Sequence, residues 1–299
     1  MSDELFTIHV YKIIYEKLGE EIELIPFGDI HWGSKSCAKD KFLEMCEWAK
    51  DKIKRGRKIY FVGKGDYIDL ASFSERIILA NPKIHSTTQE TLDDVYKRQT
   101  NEFCDNIEFM RGRLIGMIEG NHYGKLSSGI TTTQLMCQRL GCKYLGGSSF
   151  IKLQFAKVGK DRTRNAIKLW IHHGSTATKR IGGSVLTVEN MRMNAIADIY
   201  LCAHDHRKWV ATASILDISS TGKIPKLHHK KILLGRTGSF QKAYEANQKS
   251  YVASKQLNPS DLGVIKIMMI PKTERRTFLD ELGNEKSECV TYIDLHGSI

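Results

Sequence analysis

The chain has 299 residues, 41% of them apolar and 26% charged. That length supports a sizeable core, and that composition excludes collagen-like chains, low-complexity chains and disulfide miniproteins. Lys and Arg outnumber Asp and Glu by 45 to 34, giving +11, which favours an anionic partner such as nucleic acid or a phosphorylated substrate.

Ile22 to Phe27 reads as the first strand. Phe42, Cys46, Ala49 and Ile53 then recur at helical spacing, with Gly56 as the stop. Ile59 to Val62 is a continuous apolar run, as expected of a strand buried on both faces. Leu92, Tyr96, Phe103, Ile107 and Met110 return to helical spacing, and Thr87 with Glu90 predicts a capping box at that helix start. Leu114 to Ile118 is the next strand. Phe150 to Phe155 and Ala166 to Ile171 read as a hairpin around a polar loop at 160–164. Ile199 to Ala203, Lys231 to Leu234, Val264 to Ile270 and Thr291 to Leu295 read as further strands. Alternation followed by a strand-rich half predicts one domain over 1–299, a layered α/β fold with mixed sheets and helices outside. Its motif-bearing core is 22–240, and 241–299 is a strand-rich, peripheral portion.

The seven cysteines are odd in number and show no C-x-x-C spacing, so they read as buried thiols of a reducing cytosol. Met1-Ser2-Asp3-Glu4 shows no basic region before an apolar core, and no apolar stretch reaches the ~18 residues of a membrane span. The expectation is a cytoplasmic protein with no membrane partner.

Five apolar runs end in metal-binding residue types. They lead in turn into Gly28-Asp29-Ile30-His31, Gly65-Asp66-Tyr67-Ile68-Asp69, Gly120-Asn121-His122, His172-His173-Gly174 and His204-Asp205-His206. Sites of open α/β sheets lie beyond the carboxyl ends of the strands, so neighbouring runs would bring these ends together. Asp, His and Asn suit Mn, Fe, Zn or Ni without thiolates. Asp29 and His31 are two apart and, in an extended segment, point to one side; His204 and His206 repeat that spacing.

In this ordered pattern the sequence resembles the calcineurin-like metallophosphoesterases, whose blocks are D-x-H, G-D-x-x-D, G-N-H-D/E, H before a small residue, and G-H-x-H. The match runs from residue 28 to 206. Tyr123 stands where the family has an acid, which leaves the partner of His122 open, and Ala203 stands where it has a glycine. The resemblance implies a four-layer sandwich, two mixed β-sheets flanked by helices, and a dinuclear metal centre with Mn²⁺ as the first expectation. It implies that Asp29, His31 and His206 hold one metal, that Asn121, His173 and His204 hold the other, and that Asp66 bridges them. His173 is favoured over His172 because the family's ligand directly precedes the small residue. A metal-activated hydroxide would then hydrolyse a phosphodiester or phosphomonoester, with His122 as general acid or charge stabiliser. Asp69 is expected to orient the site by hydrogen bonds, and Asp198 and Asp205 are polar neighbours.

For the substrate, residues 71–88 with Arg76, Lys83 and His85, the stretch Lys179 to Gly183, and Gly238-Ser239-Phe240 are candidate site-facing elements. Lys50 to Lys58 and His228 to Lys231 are candidate basic clusters for nucleic acid. The alternative reading is a catalytically silent binding module that keeps the fold.

Overall fold

Ile22 and Leu24 face one side of their strand, and Ile25 and Phe27 face the other. This period-two alternation makes a sheet able to pack on both faces. A computed structural model describes residues 7–70, 79, 86–160, 165–175, 178–218, 227–244, 253, 256, 258–259, 262–280 and 282–299.

The strands are β1 (Ile8–Tyr15), β2 (Ile22–Phe27), β3 (Lys58–Gly63), β4 (Leu114–Met117), β5 (Lys143–Tyr144), β6 (Ser148–Lys157), β7 (Asn165–His172), β8 (Ile199–Cys202), β9 (Lys208–Ile218), β10 (Leu227–Thr237), β11 (Lys266–Leu279) and β12 (Glu285–Ser298). Four α-helices are described: α1 (Lys39–Lys54), α2 (Ser86–Ile107), α3 (Thr132–Leu140) and α4 (Ile181–Asn194). The strands form two six-stranded mixed sheets, ordered β1-β6-β7-β8-β10-β9 and β12-β11-β2-β3-β4-β5. One apolar core lies between the sheets and includes Leu24, Val62, Leu153, Leu169, Leu201 and Ile267. A second packs Phe42, Phe103 and Met136 of α1, α2 and α3 against Phe27 and Phe61. A third packs Val188 and Met191 of α4 against Tyr200 and Ile232. This is the four-layer α/β sandwich expected from the sequence.

The predicted strands and the first two helices are observed, with differences at their edges. Helix α2 starts at Ser86, so Thr87 lies inside its first turn, where its carbonyl accepts from Thr91 Oγ1 at 2.9 Å. The capping box is on α3, where Thr131 and Gln134 bond reciprocally and Gly141 closes the helix in the left-handed region. Helices α3 and α4 and strands β1, β5 and β9 carry weaker sequence signals. Helix α4 exposes Ile181, Leu186 and Met193 while burying Val188 and Met191, so it shows no apolar stripe. Strand β11 pairs antiparallel with β2, and Ile267, Met269, Ile293 and Leu295 enter the inter-sheet core, so the part of 241–299 that forms β11 and β12 is not peripheral. The stretch 71–85, with Arg76, Lys83 and His85, lies outside the described residues apart from Leu79, as does 161–164. No helix among the described residues is long and apolar enough to cross a membrane.

The motif-bearing strands β2, β3 and β4 run parallel in one sheet, and β7 and β8 run parallel in the other. Lys64, directly after β3, ties the sheets together at their carboxyl ends. It is fully buried, and its Nζ donates to His172 O and Leu201 O, each at 2.9 Å. Burial pushes its ammonium down from 10.5 to about 7. The folded pKa lies below the unfolded one, so between about pH 7 and 10.5 the unfolded chain binds more protons and stability rises with pH. Lys64→Met is expected to flatten that rise. It should also cost about 1–3 kcal/mol for the carbonyls left without a donor. Urea unfolding of both proteins at pH 7 and pH 9.5 tests this, and an unchanged pH slope would show that the ammonium is not desolvated.

Candidate metal centre

The loops after β2 and β3 are zipped together before any side chain acts. Asp29 N donates to Gly65 O at 3.0 Å, and Ile30 N and His31 N donate to Asp66 O at 2.9 and 3.1 Å. Such close approach needs glycine. A Cβ on Gly65 would stand 2.6 Å from Gly120 Cα, and one on Gly120 would overlap the Asp66 carboxylate.

The backbone at the site is strained. Asp29, His31, Asp66, His204 and His206 have φ of 48°, 51°, 51°, 73° and 59°. Among the described residues only Gln256 is a further non-glycine with positive φ. Left-handed backbone is unfavourable for side-chain-bearing residues and persists where surrounding contacts over-determine it. Here those contacts are visible. Asp66 Oδ1 accepts from Asn121 N at 2.7 Å and His122 N at 2.8 Å, and Asp29 Oδ2 accepts from His204 N at 2.9 Å. Ser239 Oγ and Phe240 N both donate to Asp29 O at 2.9 Å, which gives the Gly238-Ser239-Phe240 stretch its place behind the site.

The ligand atoms fall into groups. Asp29, His31 and His206 form one, with their donor atoms within 4.8 Å of one another, Asp66, His173 and His204 form a second, and His31, Asp69 and His122 form a third that shares His31 with the first. Asn121 joins the second, with Oδ1 2.8 Å from His173 Nε2 and 3.1 Å from His204 Nδ1. Asp66 Oδ2 reaches both groups, 3.1 Å from His173 Nε2 and 3.8 Å from His31 Nε2. The seven residues expected from the resemblance are therefore brought together. The extended-segment argument is corrected, however. Residues 29, 31, 204 and 206 are in the left-handed region, and His204 and His206 serve different groups.

The donor set fits cations. His173 Nδ1 points at Lys64 O at 2.7 Å, where only an N–H is favourable, so its Nε2 carries a lone pair in the neutral ring. That nitrogen faces Asn121 Oδ1, Asp66 Oδ2 and, at 3.3 Å, His204 Nδ1. Acceptors facing acceptors need a cation or a proton between them. Without a metal the proton supplies it: burial disfavours charge on His173, yet Asp66 lifts it to about 9. Burial likewise opposes ionisation of Asp66, while His173 holds its carboxyl well below the carboxylate range. Burial, reinforced by His173, presses His204 down to about 4. Asp29 Oδ1 and both ring nitrogens of His31 are buried with no hydrogen-bond partner among the described residues. Orphaned polar atoms of this kind are rare in folded proteins and mark a missing partner.

His172 takes a different part. Its Nδ1 accepts from Gly174 N at 2.8 Å, so it stands outside the ligand group, as the preference for His173 requires. His122 Nδ1 lies 3.0 Å from Asp69 Oδ1. Asp69 thus fills the place that Tyr123 leaves open. Burial would raise the Asp69 carboxyl, but the bond to His122 and the His31 ring, 3.6 Å away, hold it well below its ordinary value. Asp205 is an anchor. It accepts from Ser184 Oγ and pairs at 3.2 Å with Arg236, itself fully buried and donating to Ala203 O. Sequence reading did not single out Arg236 or Lys64, because a lone basic residue in a strand signals nothing about burial. Asp198 serves Lys168 N and Lys230. Lys179 and Arg180 are exposed ahead of α4 and belong to none of the ligand groups.

No family profile and no curated protein matches the chain. Among solved structures it is similar to the crystal structure of Chaetomium thermophilum Vps29, with 12% identity, covering 92% of this chain and 98% of that one, at a TM-score of 0.34. A likeness of that size carries no argument about chemistry, so the reading of the site rests on its own geometry.

Asp66→Ala should remove the carboxylate shared by both groups together with the acceptor for Asn121 N and His122 N. Metal analysis after dialysis against Mn²⁺ should then give well under two ions per folded chain. Full metal content in the variant would contradict the shared role.

Proposed function

We propose that the protein is a dinuclear metal-dependent phosphoesterase. The observation that carries this reading is the set of seven candidate ligands in two groups, with Asp66 Oδ2 between them at 3.1 Å from His173 Nε2 and 3.8 Å from His31 Nε2, and the His122–Asp69 pair beside them. Two divalent cations held there would supply Lewis-acid stabilisation of phosphoryl charge and activation of water as the nucleophile. Asp29, His31 and His206 would hold one, and Asn121, His173 and His204 the other. Mn²⁺ is the first choice, and Fe, Zn or Ni also suit the donors.

The chain's own residues supply the rest. Asp69 holds and orients His122 by Nδ1, leaving Nε2 to give a proton to the leaving oxygen or to offset its charge. His122 is one-quarter exposed, so a substrate can reach it. Lys64 and Arg236 fix the loops, and no side-chain nucleophile is needed.

A small phosphoester is the substrate class we propose, in preference to nucleic acid. Lys50 to Lys58 ends α1 and begins β3, at the end of the sheet opposite Asp66, and is largely paired: Lys50 with Glu47, Arg55 with Asp51, Arg57 with Glu21 and Glu23. Lys230 and Lys231 lie in the first half of β10, also remote from its site end, and pair with Asp198 and Asp294. Neither cluster offers a free cationic track into the site.

With Mn²⁺ present, the wild type should hydrolyse bis(4-nitrophenyl) phosphate. His122→Asn should keep both metals and lose roughly 10²–10⁴-fold in rate toward alkyl esters, with a smaller loss toward the activated aryl ester. Asp69→Asn should lose roughly 10–100-fold. The panel includes monoesters, diesters, DNA and RNA. Binding of two Mn²⁺ with no turnover of any substrate would replace the enzyme by the catalytically silent module.

A further inference from the structure

Cys37, Cys46, Cys104, Cys137 and Cys202 are buried, as the sequence suggests, but Cys142 is half-buried and Cys289 is exposed. Cys137 lies in the last turn of α3, which ends at Leu140, and Gly141 follows in the left-handed region at φ 65°. Cys142 N donates to Cys137 O at 3.1 Å, and Gly141 N donates to Gln138 O at 3.4 Å. These two bonds define a Schellman ending, in which the side chain after the glycine folds back onto the one that begins the last turn. Here those side chains are Cys142 and Cys137.

The surroundings agree with a contact between the two sulfurs. Cys137 belongs to the core beneath α2 and α3, and Cys142 packs against the same core. The Cys137 thiol is pushed up, first by a hydrogen bond with the Cys142 side chain and then by burial. A disulfide needs neighbouring backbones and converging side chains, and this helix ending supplies both. The two thiols differ in access. Cys137 is only 3% exposed, so a reagent in solution meets Cys142 first. A reachable thiol beside a shielded one suits thiol–disulfide exchange, in which the first is captured and the second resolves it. Neither belongs to a metal-ligand group.

We propose that Cys137 and Cys142 form a reversible disulfide, made by exchange with small disulfides such as oxidised glutathione. The Cys142 thiolate attacks one sulfur of oxidised glutathione. A Cys142–glutathione bond forms, the glutathione disulfide breaks, and one glutathione leaves. Cys137 then attacks Cys142 Sγ. The Cys137–Cys142 bond forms, the mixed bond breaks, and the second glutathione leaves. Two electrons pass from the cysteine pair to glutathione, and the two thiol protons end on the two glutathione thiols. The product is a covalent clasp between the end of α3 and the start of β5. That strand is the edge of its sheet and pairs with β4, which leads to Asn121. The clasp does not depend on the phosphoesterase reading.

The test equilibrates the folded chain with glutathione buffers running from reduced to oxidised, quenches with acid, alkylates free thiols under denaturing conditions and digests with trypsin. Trypsin cuts after Arg139, between the two cysteines. A disulfide therefore holds the peptide 126–139 to the peptide 140–143, and the linked mass is two hydrogens below their sum. This species should grow as the buffer becomes oxidising and disappear with dithiothreitol. Cys142→Ser should abolish it and leave Cys137 without glutathione, because the reagent does not reach Cys137. Cys137→Ser should stop the reaction at the mixed disulfide on Cys142. Cys104→Ser should keep the link. Cys137 still free in the wild type at the oxidised end would overturn the proposal. So would Cys142 found there joined to Cys104, or to glutathione alone.

Discussion

Lone pairs aimed at lone pairs are the constraint on which the rest of the structure depends. His173 Nε2, His204 Nδ1, Asn121 Oδ1 and Asp66 Oδ2 crowd together in a partly buried site, while Asp29 Oδ1 and both nitrogens of His31 have no hydrogen-bond partner among the described residues. In water each would be fully hydrated. Here they are at least partly dehydrated and mutually repulsive unless positive charge sits among them. Protonation of His173 relieves one contact and presses harder on its neighbour His204, so protons resolve the cluster poorly. Two divalent cations would relieve these contacts together, which is the reading proposed.

A cluster so unfavourable must be held in place by other contacts. Five of its seven ligands sit in left-handed backbone, and each strained loop is tied to a different part of the fold. Ser239 and Phe240 hold Asp29, the Asn121 and His122 amides hold Asp66, and Asp205 with Arg236 holds the turn carrying His204 and His206. Lys64 holds the two sheets together beneath the cluster by bonding the carbonyls of His172 and Leu201. Buried cations here serve as scaffold, since both are engaged by carbonyl or carboxylate groups of this chain.

The sheet layers and the convergence of the candidate ligands were legible because each block directly follows an apolar run, and parallel strands send their ends to one edge. The pairing of Asp69 with His122 was only half legible. Asp69 stood out within its block, but its partner is 53 residues away and is revealed only when β3 and β4 lie side by side. The local geometry of D-x-H and H-x-H was misjudged, since spacing of two suggests extended backbone and gives no sign of left-handed turns. Helix α4 was hidden because its outer face is as apolar as its inner one. The basic stretches looked like polyanion sites until their position at the far end of the strands and their pairing with Glu21, Glu47, Asp51 and Asp198 were seen.

The central claim is that these ligands form one centre of two cations sharing a carboxylate. Electron paramagnetic resonance during Mn²⁺ titration of the metal-free protein tests it most directly. The account predicts saturation at two Mn²⁺ per chain and the broadened, temperature-dependent spectrum of a spin-coupled pair. Saturation at one ion, two isolated six-line spectra, or no binding would contradict it.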